Sequence, residues 1–161
     1  MWRAPSGGLW NGRVDMDTGA RQATVFGALD AFFPTVLALD GDLGRAARLE
    51  DSCYKMWTVN GIAPELLDYK TMKVVIGSYL LTPEFVELAY YLYHYTDDEK
   101  YPRMGTTFFN SLVERCKTEA GFAALAKVRS GVKTDTMESY FLAEAMKYFY
   151  ILFASPEAFD F

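Results

Sequence analysis

The chain has 161 residues, a net charge of −5, and a composition that is 51% hydrophobic and 16% aromatic. This length and hydrophobicity suit one folded domain and argue against a disordered chain. The balance of 16 basic and 21 acidic residues disfavours nucleic acid and anionic membranes as partners, since both attract positively charged surfaces. No apolar run is long enough to span a membrane, and Met1–Gly12 lacks the apolar core of a signal peptide.

The first third of the chain predicts an irregular or hairpin entry over Met1–Gly19, followed by two helices. The first helix is predicted over Thr24–Leu39, with a kink or break at Pro34 and an end at Gly41. Its predicted buried side consists of Val25, Phe26, Leu29, Phe32, Phe33, Val36 and Leu37. The second helix is predicted over Leu43–Val59 and ends at Asn60-Gly61. Its predicted inward residues are Ala46, Leu49, Cys53, Met56 and Trp57.

The sequence pattern after Gly61 predicts three more helices. Leu66–Leu81 is expected to be a loop with a short strand, and a third helix is predicted over Thr82–Thr96. Thr82 suits the N-cap of that helix and Pro83 its first position. The other predicted elements are a helix over Pro102–Cys116, loop and short extended pieces over Glu119–Val132, and a helix over Glu138–Phe153 capped by Asp135.

Two cysteines and one histidine limit the possible metal and nucleophile chemistry. Cys53 and Cys116 are too far apart in sequence to form a metal motif, so they are either two buried thiols, which we favour, or one disulfide. The single histidine, His94, lies in a tyrosine-rich run near a predicted helix end, where a surface or capping role is expected. The aromatic residues either form a packed core or line a groove that stacks on sugar rings.

Acidic residues on two predicted helices are the candidate functional groups. Glu84 and Glu87 are three residues apart at a helix start, where they form either a solvated first turn or a pair that orients a water or binds a cation. Glu138 and Glu144 interrupt the aromatic-rich face of the last helix, and burying them there is costly without a partner.

A faint repeat relates these two helices. Glu87 is followed four residues later by Tyr91, and Glu144 is followed four residues later by Tyr148. This pattern fits either an α-helical toroid with acids near its axis or a chance likeness of two amphipathic helices.

The segment Met137–Phe153, MESYFLAEAMKYFYILF, resembles the C-terminal motif of glycoside hydrolase family 47, the inverting α-1,2-mannosidases and their ER-degradation-enhancing relatives. Pro83–Glu87 resembles the family motif R-P-E-x-x-E-S, and Gly27–Pro34 resembles the stretch G-H-L-x-x-F-x-P, with Ala28 in the place of histidine. Asp42–Leu67 and Cys116–Phe122 resemble two further family segments. The resemblance covers nearly all of the chain.

The resemblance implies an all-α fold, a partial (α/α) barrel of antiparallel helix pairs. It implies hydrolysis of terminal α-1,2-linked mannose with inversion and calcium dependence. Glu84 would be the catalytic base, and Glu87 and Glu144 would hold calcium through bound waters. Tyr140 and Phe141 would bind the substrate, a mannose-containing oligosaccharide. Family members act mostly in the secretory pathway, which assigns no compartment to this chain.

Three departures from the family pattern bear on activity. Thr82 replaces a substrate-binding arginine, Leu88 replaces a serine, and the segment with the calcium-ligating threonine has no match before Phe161. The half of the family domain that carries the general acid has no match either. Residues 1–161 are therefore expected to be the C-terminal part of one barrel domain, truncated at both ends and inactive in isolation. The alternatives are a non-catalytic mannose-binding pseudoenzyme and a helical interaction domain.

Overall fold

The computed structural model describes residues 2–3 and 7–155, and helices account for about half of the chain. The α-helices in these residues are α1 Phe32–Leu39, α2 Leu43–Asn60, α3 Glu84–Thr96, α4 Lys100–Cys116 and α5 Lys147–Phe153. A 3-10 turn, Ala28–Ala31, leads into α1, and a π-helical turn, Phe141–Met146, leads into α5.

Short antiparallel strands precede these helices or lie between them. They are β1 Trp2–Arg3, β2 Leu9–Trp10, β3 Arg13–Val14, β4 Arg21–Ala23, β5 Val25–Gly27, β6 Leu66–Asp68, β7 Lys73–Ile76, β8 Leu125–Lys127 and β9 Val132–Lys133. Strands β5, β6 and β7 form a three-stranded sheet, and the other six form three two-stranded pairs in the described part of the chain. The prediction of an all-α fold is right for the helices but does not include sheets. Of these strands, the sequence indicated a short strand in Leu66–Leu81 and extended pieces in Glu119–Val132.

Helix α3 packs against α1, α2, α4 and α5. The core next to it is aromatic. The ring of Trp57 from α2 lies 4.7 Å from that of Phe108 and 5.3 Å from that of Phe85, measured between centroids. Edge-to-face and tilted rings at these distances add specific attraction to their hydrophobic burial. This core fixes the end of α3 that carries Glu84 and Glu87.

Helix α2 follows its sequence pattern closely. Each predicted inward residue, from Ala46 to Trp57, is buried. Asp42 accepts a hydrogen bond from the backbone N–H of Arg45 at the N-terminus, and Gly61 takes a left-handed conformation at the C-terminus, with φ of 76°. The stop signal at Asn60-Gly61 is confirmed, because glycine adopts this conformation without steric cost.

The helix predicted over Thr24–Leu39 is wrong in its first half. Val25–Gly27 pairs with β6 as a strand, and the α-helix begins only at Phe32. Pro34 lies in the first turn of α1, where a missing N–H is tolerated, so it does not kink the helix. Several residues of the predicted buried side are exposed instead: Leu29 (64% exposed), Phe32 (48%), Phe33 and Val36 (41% each). The spacing of these residues indicated an apolar face, but it did not show whether that face is buried.

Two predicted helix caps are also wrong. Helix α3 begins at Glu84 with Pro83 as its N-cap, and Thr82 caps nothing. The last helical stretch begins at Ser139, because backbone hydrogen bonds with Ala124 keep Thr134 and Thr136 beside β8. Asp135 is therefore not an N-cap residue.

The predictions for the cysteines and the histidine are confirmed. Cys53 and Cys116 are buried free thiols. His94 is exposed in the last turn of α3, with its ring beside those of Tyr90 and Tyr95. Burial raises the pKa of the Cys53 thiol well above its ordinary value, so this thiol stays protonated and unreactive.

Candidate active site

A cavity of about 270 Å³ opens at the N-terminal end of α3. Its walls come from the 3-10 turn, the loops on either side of β6–β7, the start of α3 and the π-helical turn. The lining residues are Leu29, Glu65, Leu80, Thr82, Pro83, Glu84, Tyr140 and Glu144. The cavity therefore brings together side chains that lie up to 115 residues apart in sequence.

Glu84 is the most perturbed acid of this cavity. Its side chain is 9% exposed, and its Oε2 atom is buried without a hydrogen-bond partner in the described structure. Burial, with smaller contributions from the neighbouring carboxylates Glu87, Glu144 and Glu65, raises the pKa of Glu84 to about 7. A carboxyl group with this pKa can both release and accept a proton near neutral pH.

Glu87 lies one helical turn further along α3 and is held by the other acid–aromatic helix. The Tyr148 hydroxyl donates a 2.7 Å hydrogen bond to Glu87 Oε1. Burial raises the pKa of Glu87, and this hydrogen bond opposes the rise because it stabilises the ionised form. The two halves of the faint repeat are thus in contact, with the aromatic residue of one bound to the acid of the other.

Tyr140 and Glu144 reach the cavity from the last helical stretch. The Tyr140 hydroxyl donates a 2.8 Å hydrogen bond to the carbonyl of Leu80, which fixes the ring at the cavity wall. Glu144 is exposed within the π-helical turn, and Glu138 is exposed before it, so neither acid is buried among aromatic rings as the sequence suggested. Wide π-helical turns of this kind occur frequently at functional sites.

Phe141 does not reach the cavity. Its side chain is fully buried, and its ring lies 5.1 Å from that of Phe122. Phe141 therefore does not line the cavity that Tyr140 lines, and its predicted contact with substrate stays a prediction. Adjacent helical residues point about 100° apart, and Tyr140 already occupies the cavity side.

Glu65 belongs to the cavity, although the sequence did not single it out as a site residue. Its backbone is fixed on both sides, because its N–H donates to Ser78 and its carbonyl accepts from Ala28. Its Oε2 atom is buried without a partner in the described structure, and burial raises its pKa. The feature of the sequence that could have indicated Glu65 is its position after Pro64 and directly before β6. Its place near α3 depends on the pairing of β5 with β6, which the sequence pattern does not show.

The predicted calcium site depends on how the carboxylates of the described residues compare with what calcium requires. Calcium takes six to eight oxygen ligands at about 2.3–2.6 Å. Among the residues that the structure describes, no group of three or more His, Cys, Asp or Glu side chains is placed to hold a metal ion. Glu87 already accepts a hydrogen bond from Tyr148. A role for Glu87 and Glu144 through bound waters stays a prediction.

Comparison with known proteins decides the family. The family model for glycosyl hydrolase family 47 matches residues 4–161. The chain belongs to this family. The resemblance predicted from Met137–Phe153 and Pro83–Glu87 is thereby confirmed.

The relatives of this family 47 chain include Alpha-mannosidase I MNS4 of Arabidopsis thaliana, 37% identical over 89% of this chain and 23% of the relative. The human ER degradation-enhancing alpha-mannosidase-like protein 3 is 38% identical over 81% of this chain and 14% of the relative. The chain thus spans less than a quarter of these relatives. In the region that the structure describes, no helix is both long and apolar enough to cross a bilayer.

Comparison with a solved structure is consistent with this family. The α-1,2-mannosidase from Trichoderma reesei superposes with a TM-score of 0.75 and 25% identity, covering 85% of this chain and 35% of the enzyme. The described helices and small sheets therefore match about a third of the fold of this mannosidase.

Proposed function

We propose that this chain contributes the catalytic base to an inverting α-1,2-mannosidase that acts on mannose-containing oligosaccharides. One observation carries the proposal: Glu84 is a nearly buried acid with an unpartnered oxygen on a cavity wall, and its pKa is raised to about 7. A buried carboxyl without a partner is costly, which is explained if a substrate or an attacking water completes its hydrogen bonding. The mannosidases among its relatives supply the substrate class.

In this proposal the ionised Glu84 accepts a proton from the water that attacks the anomeric carbon. Inverting enzymes place a general acid about 6.5–9.5 Å from the base, on the other side of the scissile bond. We assign that acid to no residue of this chain and expect it in the part of a family 47 domain that the chain does not match. Tyr140, held by its bond to Leu80, would pack against the sugar ring.

We infer that further helices of an (α/α) barrel cover the exposed apolar residues of α1. Phe32, Phe33 and Val36 are 41–48% exposed and recur at three- and four-residue steps, the pattern of a helix face packed against a neighbour. The chain spans only 14–35% of the relatives and of the structural neighbour. It would then be the C-terminal part of one barrel domain, and inactive alone.

The test is hydrolysis of α-1,2-mannobiose followed by proton NMR, which reports both rate and product configuration. We expect no turnover by the 161-residue chain and turnover by a protein in which it is joined to the rest of a family 47 domain. The first product is then β-mannose. Initial release of α-mannose, or turnover by the 161-residue chain that survives Glu84→Gln, would refute the assignment of Glu84 as the base.

A second candidate, mannose binding without hydrolysis, is favoured by one residue. Thr82 lines the cavity where the family motif has arginine, and its hydroxyl has no hydrogen-bond partner in the described structure. Threonine cannot supply the planar fork of donors that arginine offers to a substrate. This candidate predicts that the joined protein binds mannosides but releases no mannose.

A further inference from the structure

One residue with a strained backbone, Leu81, lies in the loop that joins β7 to α3. Its φ is 63°, in the left-handed region, and its side chain is fully buried. Residues other than glycine seldom adopt this region because their Cβ crowds a neighbouring carbonyl oxygen, and a bulky residue there is a true outlier. Such strain persists only where the surrounding structure holds it, and it clusters at functional sites.

Both sequence neighbours of Leu81 line the cavity of the candidate active site. Leu80 and Thr82 belong to its walls, while the side chain of Leu81 is packed in the hydrophobic core. The carbonyl of Leu80 accepts the 2.8 Å hydrogen bond from the Tyr140 hydroxyl. Because this carbonyl belongs to the peptide that precedes the Cα of Leu81, its direction depends on the φ of Leu81. Leu81 therefore affects the cavity through the main chain.

The main chain is fixed on both sides of this turn. Before the turn, Tyr79 exchanges backbone hydrogen bonds of 2.9 and 2.8 Å with Leu125. After it, Pro83 restricts the residue that precedes it to extended conformations, and the Pro83 carbonyl accepts a hydrogen bond from the N–H of Glu87 in α3. Only three residues lie between Tyr79 and Pro83. The left-handed conformation of Leu81 allows the chain to turn towards α3 within this short distance.

The buried side chain explains why leucine suits this position. Glycine would accept a φ of 63° without strain, but it would accept many other angles as well, since it has no Cβ. The leucine side chain would lose its contacts with the core if the main chain rotated, so its burial opposes relaxation of the turn. Leu81 thus holds one conformation of the turn where glycine would allow several.

We propose that Leu81 is a positioning residue for substrate binding: its left-handed turn, held by the buried side chain, directs the Leu80 carbonyl towards Tyr140. This carbonyl in turn holds the ring that packs against the terminal sugar. The inference rests on the proposed function and adds a residue that does not touch the substrate. The aromatic core already fixes the start of α3, which carries Glu84. Leu81 should therefore govern substrate binding and leave the chemical step unchanged.

The test replaces Leu81 in a protein that carries the whole family 47 domain and measures kcat and KM on α-1,2-mannobiose. Leu81→Ile keeps the volume of the buried side chain, but its branched Cβ resists a positive φ. We expect KM to rise about 3–10-fold, the equivalent of one lost hydrogen bond, and kcat to stay within about twofold. The conservative variant Leu81→Met, unbranched and of similar volume, should retain the wild-type KM.

Met72 supplies the matched control position. It is also left-handed, with φ of 58°, but it does not line the cavity at the start of α3. Met72→Ile imposes the same kind of backbone strain away from the cavity, so it should lower stability without changing KM. A merely structural effect of Leu81→Ile would reduce the folded fraction, which lowers kcat and leaves KM unchanged. That result, or an equal rise of KM in Met72→Ile, would overturn the inference.

A double-mutant cycle tests whether Leu81 acts through the Leu80 carbonyl. Tyr140→Phe removes the hydroxyl that is bonded to this carbonyl. If Leu81 acts through this bond, Leu81→Ile combined with Tyr140→Phe raises KM no more than the stronger single variant does. Increases of KM that multiply would refute the proposal. If Leu81→Ile is not recovered folded, Leu81→Gly takes its place with the same expected rise of KM, since glycine accepts the turn but does not hold it.

The outcomes also separate this inference from the proposed function. If the wild-type domain releases mannose with a KM that Leu81→Ile leaves unchanged, the role of Leu81 is refuted while that of Glu84 stands. If the wild-type domain binds α-1,2-mannobiose without hydrolysing it, the catalytic proposal fails, and the dissociation constant replaces KM in the comparison of variants. If it neither hydrolyses nor binds the disaccharide, the proposed function and this inference fail together.

Discussion

Glu84 in α3 and Glu50 in α2 are both buried carboxyl groups, but their surroundings differ. Burial raises the pKa of each. In the described structure, one carboxyl oxygen of Glu84 and both of Glu50 are buried without a hydrogen-bond partner. Glu84 lines a cavity with two other acids. Glu50 is fully buried, its pKa rises well above the ordinary range, and it does not line the cavity at the start of α3. A buried acid without a hydrogen-bond partner therefore indicates a ligand-binding site only where the acid also lines a cavity.

The largest difference is expected in catalysis. In a protein that carries the whole family 47 domain, Glu84→Gln should lower kcat about 10²–10⁴-fold, the usual contribution of a general base. Glu50→Gln should leave kcat within about twofold. For the wild type, kcat/KM should fall as the pH drops below about 7, since Glu84 must be ionised to accept a proton. Equal losses of kcat in Glu84→Gln and Glu50→Gln would show that Glu84 has no special role in catalysis.

The next difference is in stability. Glu50→Met replaces an unpartnered carboxyl with an apolar side chain of similar size and should raise the free energy of unfolding by about 1–3 kcal/mol. Because the folded-state pKa of Glu50 is raised, the stability of the wild type falls as the pH rises above the unfolded-state pKa near 4.5. The gain should thus be larger at pH 7.5 than at pH 4. Urea unfolding of the wild type and of Glu50→Met at pH 4 and pH 7.5 measures this gain in the free energy of unfolding. A gain that does not depend on pH would contradict the assignment of a raised pKa to Glu50.

Tyr148→Phe tests the contact between the two acid–aromatic helices. The variant removes the hydrogen bond to Glu87 and should cost about 1.5–3 kcal/mol of stability, the range for bonds to charged groups. The pKa of Glu87 should rise further, because the lost bond lowers it in the wild type. Tyr95→Phe, at an exposed position of α3, is the matched control in thermal denaturation. Equal melting temperatures in the two variants would show that the bond contributes nothing.

The last prediction concerns Thr82→Arg, which should shift a pH profile without abolishing activity. A guanidinium beside Glu84 should lower the pKa of that carboxyl by about one to three units and move the acidic limb of the pH–rate profile down with it. It should also lower KM for mannosides, since it restores a fork of donors. Thr82→Ser is the control. An unchanged profile would mean that the arginine side chain points away from Glu84.

Sequence periodicity identified α2 and its buried face because one side of that helix lies against the core along its whole length. It failed for Leu29, Phe32 and Phe33, since the spacing of apolar residues does not show whether the face that carries them is buried or exposed. The placing of Glu84 and Glu144 on one cavity followed from the family motifs and not from spacing alone. Glu65 escaped notice because its position depends on the pairing of β5 with β6, a contact between residues about 40 apart.

The π-helical turn at Phe141–Met146 has a consequence for how this helix tolerates changes in length. A π-helical turn contains one residue more than an α-helical turn and leaves the flanking turns in phase. Deleting Ala143 should therefore convert the stretch to regular α-helix while Tyr140 and the buried Phe149 and Leu152 keep their directions. The same deletion within α5 would rotate one flank by about 100° and unpack the core. Shortening the turn would change the directions of Glu144 and of the buried Ala145, so Glu144 would leave the cavity wall.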